Sequence, residues 1–311
     1  MTFNKKTYTY KSYSGLCNIF AQGYFPDDNN SIKGIIQIAH GMAEHHIRYE
    51  KFISFLNKNG FAVFINDHLG HGKSVLDNSQ LGFFGLKNGY INLVEDMKKL
   101  SEIATKEIPN KPIILLGHSM GSFLARLYSE RYGEEIDGVI YCGTSGANPA
   151  SSFGIAITNL FIKAKGTHYR SKFIDNLAFG TYNKKIKNNR TKFDWLTKDD
   201  DIVDDYINDN YCGFIFTVCG YRDLMTLLNV INRDDWFTSV PKNLPILLVA
   251  GKDDPVGNYG KGVTQVYKKL VDSKHSDVSL KLFDNDRHEI LNETDSDDVY
   301  KNIIEWINTI V

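Results

Sequence analysis

The chain has 311 residues, and its composition is that of a folded protein. Hydrophobic residues make up 42% and charged residues 23% of the sequence, values typical of a chain that buries a sizeable core. Lys and Arg total 36 against 37 for Asp and Glu, a formal charge of -1, with neither a basic stripe nor an acidic tail. This composition argues against disorder, and the charge argues against nucleic acid as a partner.

The N-terminal segment carries positive charge but no apolar stretch behind it, and no segment approaches the roughly 20 apolar residues of a membrane-spanning helix. The four cysteines have neither metal-pair spacing nor the spacing of a disulfide framework; they are Cys17, Cys142, Cys212 and Cys219. We expect them to be reduced and buried, with Cys17 and Cys142 in strands, and we expect a cytoplasmic protein.

The first predicted elements are strands. Residues 7–13 and 18–25 are alternating or aromatic, and a polar loop at 27–31 follows, which predicts a β-hairpin. Short continuous apolar runs, typical of strands covered on both faces of a sheet, then occur at 34–39, 61–66, 113–116, 138–142 and 246–250. Residues 278–283 alternate and predict a strand nearer the edge.

Segments with helical periodicity separate these strands, at 48–58, 90–106, 122–132, 262–270 and from Ser296 onward. In the last segment one apolar stripe consists of Val299, Ile303, Trp306, Ile307 and Ile310. Because strands and helices alternate, the sequence predicts an α/β fold whose sheet is mainly parallel, with helices on both faces.

The alternation breaks from about Ser145 to Ser239. We therefore predict a core of residues 1–144 and 240–311 and an inserted helical cap of residues 145–239. This stretch contains helix candidates at 153–162 and 221–231, a basic run at 183–192 and an acidic run at 199–205. Charged runs of this kind are typical of solvated faces.

The pentapeptide Gly117-His118-Ser119-Met120-Gly121 lies between a predicted strand and a predicted helix. In that context the two glycines allow the tight turn that exposes a nucleophilic Ser hydroxyl above the sheet. The start of the following helix brings backbone N–H groups and a positive dipole end to the developing oxyanion. Ser119 is therefore the predicted nucleophile.

A serine hydroxyl needs a neighbouring base, and the base needs a carboxylate that orients it. His288 lies in a polar loop after the last predicted strand, and we predict that it is the base. The carboxylate comes from the loop after residues 246–250. Asp254 is the predicted acid, and the adjacent Asp253 remains an alternative.

The loop that follows residues 34–39 is predicted to supply a second oxyanion donor. The backbone N–H groups of Met42 and Met120 are the expected pair. Amides that are fixed before the reaction stabilise a tetrahedral oxyanion without reorganisation.

Five motifs together resemble the monoacylglycerol lipase and lysophospholipase family of α/β-hydrolases, many of whose members are labelled serine aminopeptidase-like. The motifs are HGMAEHHIRY (residues 40–49), DHLGHGKS (67–74), GHSMG (117–121), GKDDPV (251–256) and RHEIL (287–291). The resemblance implies an α/β-hydrolase fold, with an eight-stranded sheet whose second strand is antiparallel and a helical cap after strand six. It also implies a Ser, Asp, His triad and no cofactor. Relatives often have Gly where Ala43 stands.

The resemblance also places Glu44, Arg48 and His118 near the leaving alcohol, where they could bind glycerol-like hydroxyls. An ion pair that braces the loop is an equally good interpretation of Glu44 and Arg48. Four further histidines are numerous enough to suggest a metal, but we predict none because they fall within the motifs and lack ligand spacing; they are His45, His46, His68 and His71. We expect Asp67, Gly70, His71 and Gly72 to shape a loop beside the site.

Apolar residues of the predicted cap could form an acyl-chain groove, or they could be the cap's own core. They are Phe153, Ile157, Leu160, Phe161, Phe173, Leu177, Phe179, Trp195, Phe214 and Phe216. A cap with such a surface could also contact membranes transiently.

The sequence therefore predicts a serine hydrolase that cleaves small acyl esters, with monoacylglycerol preferred and a lysophospholipid or a short-chain ester as alternatives. Other chemistry on the same triad, such as peptide, thioester or carbon–carbon bond hydrolysis or perhydrolysis, remains open because fold alone does not determine the reaction. A ligand-binding receptor with a slow triad is a further alternative.

Overall fold

The computed structural model describes residues 3–28 and 32–311 and contains an eight-stranded sheet. The strands are β1 Asn4–Lys11, β2 Asn18–Phe25, β3 Gly34–Ala39, β4 Phe61–Asn66, β5 Ile113–His118, β6 Gly138–Cys142, β7 Ile246–Gly251 and β8 Val278–Phe283. Their order across the sheet is β1-β2-β4-β3-β5-β6-β7-β8. β2 is antiparallel to both neighbours, and the pairs from β4 to β8 are parallel. The predicted fold class is confirmed.

Helices cover both faces of this sheet. In the described part of the chain they are α1 Glu50–Lys58, α2 Gly89–Glu107, α3 Met120–Tyr132, α4 Ala150–Lys165, α5 Lys172–Phe179, α6 Asp200–Asn208, α7 Val218–Val230, α8 Asp234–Ser239, α9 Lys261–Asp272 and α10 Ser296–Ile307. Side chains of α1 and α10 share one apolar cluster, and those of α2, α3 and α9 share another.

The continuous apolar runs follow from this double covering. Successive side chains of a strand point to opposite faces of the sheet, so Ile35 joins the cluster of α2, α3 and α9 while Ile36 joins that of α1 and α10. Both are fully buried. By contrast β8, which pairs with β7 alone in the described sheet, is only partly buried, as its alternating sequence predicted.

Two details of the N-terminal hairpin differ from prediction. Cys17 lies in the turn between β1 and β2 and not in a strand, because this turn is closed by the Ser12 N–H donating to the Cys17 carbonyl over 3.0 Å. β1 ends at Lys11 because the Asp96 carboxylate accepts the Ser12 hydroxyl and the Tyr13 N–H. Cys142 lies in β6 as predicted, and all four cysteines are buried free thiols. The predicted loop at 27–31 lies partly outside the described residues.

The segment between β6 and β7, which we call the insertion (residues 145–239), holds helices α4 to α8. α4 and α7 cover the two predicted helices, whereas α5 and α8 were not predicted. The acidic run forms the start of α6, where Asp199 accepts hydrogen bonds from two N–H groups of the first turn. The division into core and cap at residues 145 and 239 stays a prediction. No helix in the described ranges is long and apolar enough to cross a membrane.

Candidate active site

The predicted site residues lie at the carboxyl end of the parallel strands, the edge at which open α/β sheets bind ligands. Ser119 directly follows β5, while the loops that carry Asp254 and His288 follow β7 and β8. A cavity of about 1220 Å³ opens over this edge. Its wall includes Ser119 and His288 together with Met42 and Met120.

Ser119 lies in a strained turn between β5 and α3. Its backbone has φ 54° and ψ -120°, a conformation that residues with a Cβ rarely adopt. A Cβ on Gly117 would lie 2.2 Å from the Gly121 carbonyl oxygen, and a Cβ on Gly121 would lie 2.0 Å from the Ala39 carbonyl oxygen. Only glycine fits both positions, so the two glycines are what let α3 start directly behind the hydroxyl.

His288 and Asp254 face each other beneath the cavity. The Nδ1 atom of His288 lies 3.0 Å from Oδ1 of Asp254, an ion-pair distance without the alignment of a good hydrogen bond. Both side chains are buried, whereas Asp253 is exposed. The Nε2 atom of His288 is buried and has no hydrogen-bond partner among the described residues. The geometry thus brings Asp254, and not Asp253, to the histidine.

The loop of His288 is bound to residues 194–198 of the insertion. The Glu289 N–H donates to the Leu196 carbonyl over 2.7 Å, and the Arg287 guanidinium donates to the carbonyls of Asp194 and Thr197. The rings of Trp195 and His288 lie 5.1 Å apart. The sequence did not predict this support, because Trp195 was expected to belong either to an acyl-chain groove or to the cap's own core.

The loop after β3 holds the peptide between Gly41 and Met42 in one orientation. Nε2 of His40 accepts the His68 N–H over 2.9 Å, so Nδ1 carries the proton and donates to the Gly41 carbonyl over 2.8 Å. Burial lowers the pKa of His40, which keeps this ring neutral. Because C=O and N–H point in opposite directions across a trans peptide, the Met42 N–H points away from His40.

This peptide is also close to the serine. A Cβ on Gly41 would lie 3.2 Å from the Cβ of Ser119. His40 is the first residue of the HGMAEHHIRY motif, but no role was predicted for it. Its position directly after a buried strand was the available signal. The structure therefore adds His40 to the residues that shape the predicted oxyanion loop.

Glu44, Arg48 and His118 belong to one buried network. Glu44 accepts hydrogen bonds from the Gly41 N–H, the Tyr49 hydroxyl and the Arg48 guanidinium. Arg48 also donates two hydrogen bonds, of 2.6 and 2.7 Å, to Glu289. Glu44 and His118 line the cavity, whereas Arg48 is not among the described residues of its wall.

Burial opposes the charge of both Glu44 and His118, but their mutual interaction outweighs it. The interaction with His118, together with that of Arg48, lowers the pKa of Glu44, and the interaction with Glu44 raises the pKa of His118. The pair links the loop after β3 to the residue before the nucleophile.

Half of the predicted groove residues reach the cavity. Those that line it are Phe153, Leu177, Phe179, Trp195 and Phe214. Phe216, in contrast, is fully buried in the main apolar cluster, so it is a core residue. Apolar wall residues that were not predicted include Phe123 on α3 and Leu224, Met225 and Leu228 on α7.

Three groups of side chains in the described ranges have donor atoms close enough for a metal: His45, His46 and Asp67; His45, Asp209 and Cys212; Asp286, Glu293 and Asp295. Their donors already bind one another or a cation. His46 is 2.8 Å from Asp67, His45 is 2.7 Å from Asp209, and the Lys198 ammonium is 2.8 Å from Asp286. Asp67 also accepts the Lys73 N–H, and a Cβ on Gly72 would lie 2.3 Å from it, so this group shapes a loop.

Comparison with known families decides the relationship. Residues 30–295 match the Hydrolase_4 family, described as serine aminopeptidase, S33. The chain belongs to this family. A human monoglyceride lipase is 28% identical over 281 residues, which cover 89% of this chain and 82% of the relative. A monoacylglycerol lipase of Mycolicibacterium smegmatis is 27% identical over 280 residues, which cover 88% of each chain.

Solved structures of an esterase and a lipase share the fold of this chain. A highly thermostable carboxyl esterase from Bacillus coagulans, in complex with glycerol, has a TM-score of 0.92 and 34% identity, covering 99% of both chains. An open-form lipase has a TM-score of 0.90 and 26% identity, covering 98% of this chain and 99% of that one. The predicted family is confirmed, and these relatives agree with the predicted ester hydrolase.

Proposed function

We propose that this ester hydrolase cleaves single-chain carboxylic esters, with monoacylglycerol preferred, through an acyl-enzyme on Ser119. The observation that carries the proposal is the cavity of about 1220 Å³ in which Ser119, His288 and the loop after β3 share one wall. Apolar side chains line much of the rest, as in sites for apolar ligands. The names of two relatives also support the proposal, since one is a monoglyceride lipase and the other a monoacylglycerol lipase.

In the proposed mechanism, Nε2 of His288 takes the Ser119 proton and Oγ attacks the ester carbonyl. The N–H groups of Met42 and Met120 stabilise the oxyanion, and the Asp254 carboxylate stabilises the imidazolium. His288 then gives its proton to the leaving alcohol. Water, activated by the same histidine, attacks the acyl-enzyme and releases the acid and the free serine. Every proton transfer uses side chains of this chain, so the reaction as written needs no cofactor.

The leaving alcohol is proposed to lie beside Glu44 and His118, which line the cavity next to Ser119. Arg48 would act through Glu44, because its donors are engaged by Glu44 and Glu289. The Glu44 carboxylate, whose pKa is held well below its ordinary value, suits the hydroxyl groups of glycerol, since hydrogen bonds to charged groups are stronger than neutral ones.

A lysophospholipid is a second candidate substrate. Lys184 and Lys192 also line the cavity, and an ammonium group is a suitable partner for a phosphate. Short-chain esters would use the same triad, but their acyl groups would leave the apolar part of the cavity unfilled.

The test is hydrolysis of a p-nitrophenyl ester series from acetyl to palmitoyl, with monoacylglycerol and lysophosphatidylcholine alongside. Wild type is compared with Ser119→Ala. A Ser119-dependent optimum at medium or long chains, with monoacylglycerol cleaved, supports the proposal. Activity on the shortest esters alone would make the protein a small-ester esterase, and no activity on any ester would refute the proposal.

We also propose a transient contact of the insertion with anionic membranes. On α4 and α5, Phe153, Leu160 and Phe173 are 66%, 67% and 61% exposed, and exposed lysines flank them at Lys163, Lys165 and Lys172. Apolar side chains beside lysines are typical of surfaces that bind anionic lipid. The proposed location is the cytoplasm, where buried free thiols stay reduced.

Co-sedimentation with vesicles of phosphatidylcholine, with and without phosphatidylglycerol, tests this contact. We expect binding that increases with phosphatidylglycerol and is lost in Leu160→Glu. Leu76→Glu is the matched control, because Leu76 is 72% exposed but lies outside the insertion. Equal sedimentation of both variants would refute a contact through α4.

A further inference from the structure

The carbonyl of Ala43 is held by two donors from the insertion. It accepts the Gly213 N–H over 2.9 Å and the Tyr206 hydroxyl over 3.0 Å. Ala43 is the residue after Met42, so the acceptor lies one residue beyond the proposed oxyanion donor. The insertion therefore touches the loop that is proposed to stabilise the transition state.

Ala43 has a conformation that needs such support. Its φ is 51°, in the left-handed region, which is sterically unfavourable for a residue with a Cβ. Strained residues of this kind persist where their surroundings hold them in place. Without its two hydrogen bonds the peptide after Ala43 would be free to turn toward the ordinary right-handed region, and Met42 would move with it.

The other side of the same loop is held by the core. His40 binds the Gly41 carbonyl, and Glu44 accepts the Gly41 N–H. These contacts fix the peptide before Met42, while the insertion fixes the peptide after Ala43. The loop is thus held from both sides, by two different parts of the chain.

Tyr206 is itself rigidly placed. It lies on α6 and is buried, with the Arg48 guanidinium 4.8 Å from the centre of its ring and the Phe193 ring at 5.0 Å. A third link runs beside it, because Asp209 binds the His45 ring over 2.7 Å. The hydroxyl of Tyr206 is therefore presented to Ala43 in a fixed position.

We infer that Tyr206 is a positioning residue of the oxyanion hole, and that the insertion sets the rate of the chemical step as well as the choice of substrate. The inference rests on the proposed function. Tyr206 acts through the Ala43 carbonyl, and its hydroxyl exchanges no proton with the substrate. A poorly held loop would weaken the hydrogen bond from the Met42 N–H to the oxyanion while leaving the apolar wall unchanged.

The test compares Tyr206→Phe with wild type, using a p-nitrophenyl ester and an alkyl trifluoromethyl ketone that forms a reversible tetrahedral adduct with the serine. We expect kcat to fall about tenfold, less than the 10²- to 10³-fold typical of removing a donor outright. KM should stay nearly constant, and affinity for the ketone should fall in the same ratio as kcat/KM. If Tyr206 had a purely structural role, the affinity for the ketone would not fall in the same ratio as kcat/KM.

Tyr10→Phe is the matched control. The Tyr10 hydroxyl also donates to a backbone carbonyl, that of Asp96 over 2.8 Å, but Tyr10 lies on β1 away from the cavity. We expect this variant to keep both the rate and the ketone affinity of wild type. Equal losses in Tyr10→Phe and Tyr206→Phe would overturn the inference.

If Tyr206→Phe does not fold, Asp209→Asn decides, because Asp209 is partly exposed and keeps its turn as Asn. A loss of kcat of about threefold, with ketone affinity falling alongside, supports the inference; unchanged kcat and affinity overturn it. A wild-type protein without Ser119-dependent ester hydrolysis refutes the proposed function instead. An active wild type with an unchanged, folded Tyr206→Phe refutes this inference alone.

Discussion

The strand-end loops of the core and the outer helices of the insertion are built in opposite ways. Around Ser119 and His288 the backbone is buried, glycines permit close approaches, and hydrogen bonds fix each peptide. On α4 and α5 large apolar side chains are exposed to solvent. The first arrangement suits preorganised chemistry, and the second suits recognition of an apolar partner. Catalysis is therefore proposed for the strand-end loops, and contact with an apolar partner is proposed for the outer helices.

The inner part of the insertion does not follow this division. Residues 194–198 bind the loop of His288, and Tyr206 and Gly213 bind Ala43. These segments belong with the catalytic loops, although the chain reaches them only after leaving the core sheet. We therefore expect variants of the strand-end loops, and of the segments bound to them, to change kcat. Variants of the apolar cavity wall should change KM.

The largest expected effect comes from the nucleophile and the base. Ser119→Ala and His288→Ala should each lower kcat by several orders of magnitude, about 10⁴- to 10⁶-fold, because either loss disables the whole triad. Steady-state hydrolysis of a p-nitrophenyl ester measures this, with far-UV circular dichroism to confirm folding. Residual rates within tenfold of wild type would remove Ser119 from the mechanism.

The two neighbouring aspartates should differ sharply. Asp254→Asn is expected to lower kcat by about 10³- to 10⁴-fold, since the imidazolium loses its carboxylate. Asp253→Asn is the matched control and should keep nearly full activity, because Asp253 is exposed. The opposite ranking of the two variants would show that the acid is Asp253.

The cavity wall should give a smaller and more selective effect. Leu228 lies on α7 and lines the cavity, so Leu228→Ala removes apolar contacts from a bound acyl chain. At about 0.8 kcal/mol per buried methylene, KM for decanoyl and longer esters should rise about three- to tenfold. KM for the acetyl ester should not change, and neither value should change in Leu160→Ala, which alters a residue outside the wall. A uniform fall of kcat across the series would contradict the assigned role.

Substitution of Asp96 is expected to change the pH dependence of the free energy of unfolding without changing kcat. Burial raises its pKa to about 7 from the ordinary value of 3.8. Between these values the folded protein keeps a proton that the unfolded chain has lost, so this group's stabilisation is full below about pH 4 and is lost as pH rises through 7.

Urea unfolding of wild type and Asp96→Asn at pH 5 and pH 8 measures this effect. The wild type should lose about 1 to 3 kcal/mol more between the two pH values than the variant does. The kcat of the variant should be that of wild type, since Asp96 binds Ser12 and Tyr13 far from the cavity. Parallel pH profiles of unfolding would show that Asp96 ionises normally in the folded protein.

Most of the core was predictable because its signals are local. Strands buried on both faces have continuous apolar sequences, so β3, β4 and β6 have the predicted bounds, and the alternating or aromatic patterns of β2 and β8 predicted their bounds as well. The turn at Ser119 was predictable for the same reason: its two glycines are required by atoms only a few residues away or on the adjacent strand.

The insertion was less predictable because its contacts are distant in sequence. Tyr206 meets Ala43 across 163 positions, and Arg287 meets Asp194 across 93. No periodicity marks either pair. α5 was missed because its eight residues are too few to show a clear period, and its start depends on the Ser171 hydroxyl, which accepts the Ile174 N–H.

We propose above all that Ser119 becomes acylated with help from His288. The direct measurement is intact-mass and peptide-mapping mass spectrometry after treatment with an alkyl fluorophosphonate. We expect one adduct, located on Ser119, that forms rapidly in wild type and very slowly in His288→Ala. An adduct on another serine, or equal labelling rates in wild type and His288→Ala, would contradict it.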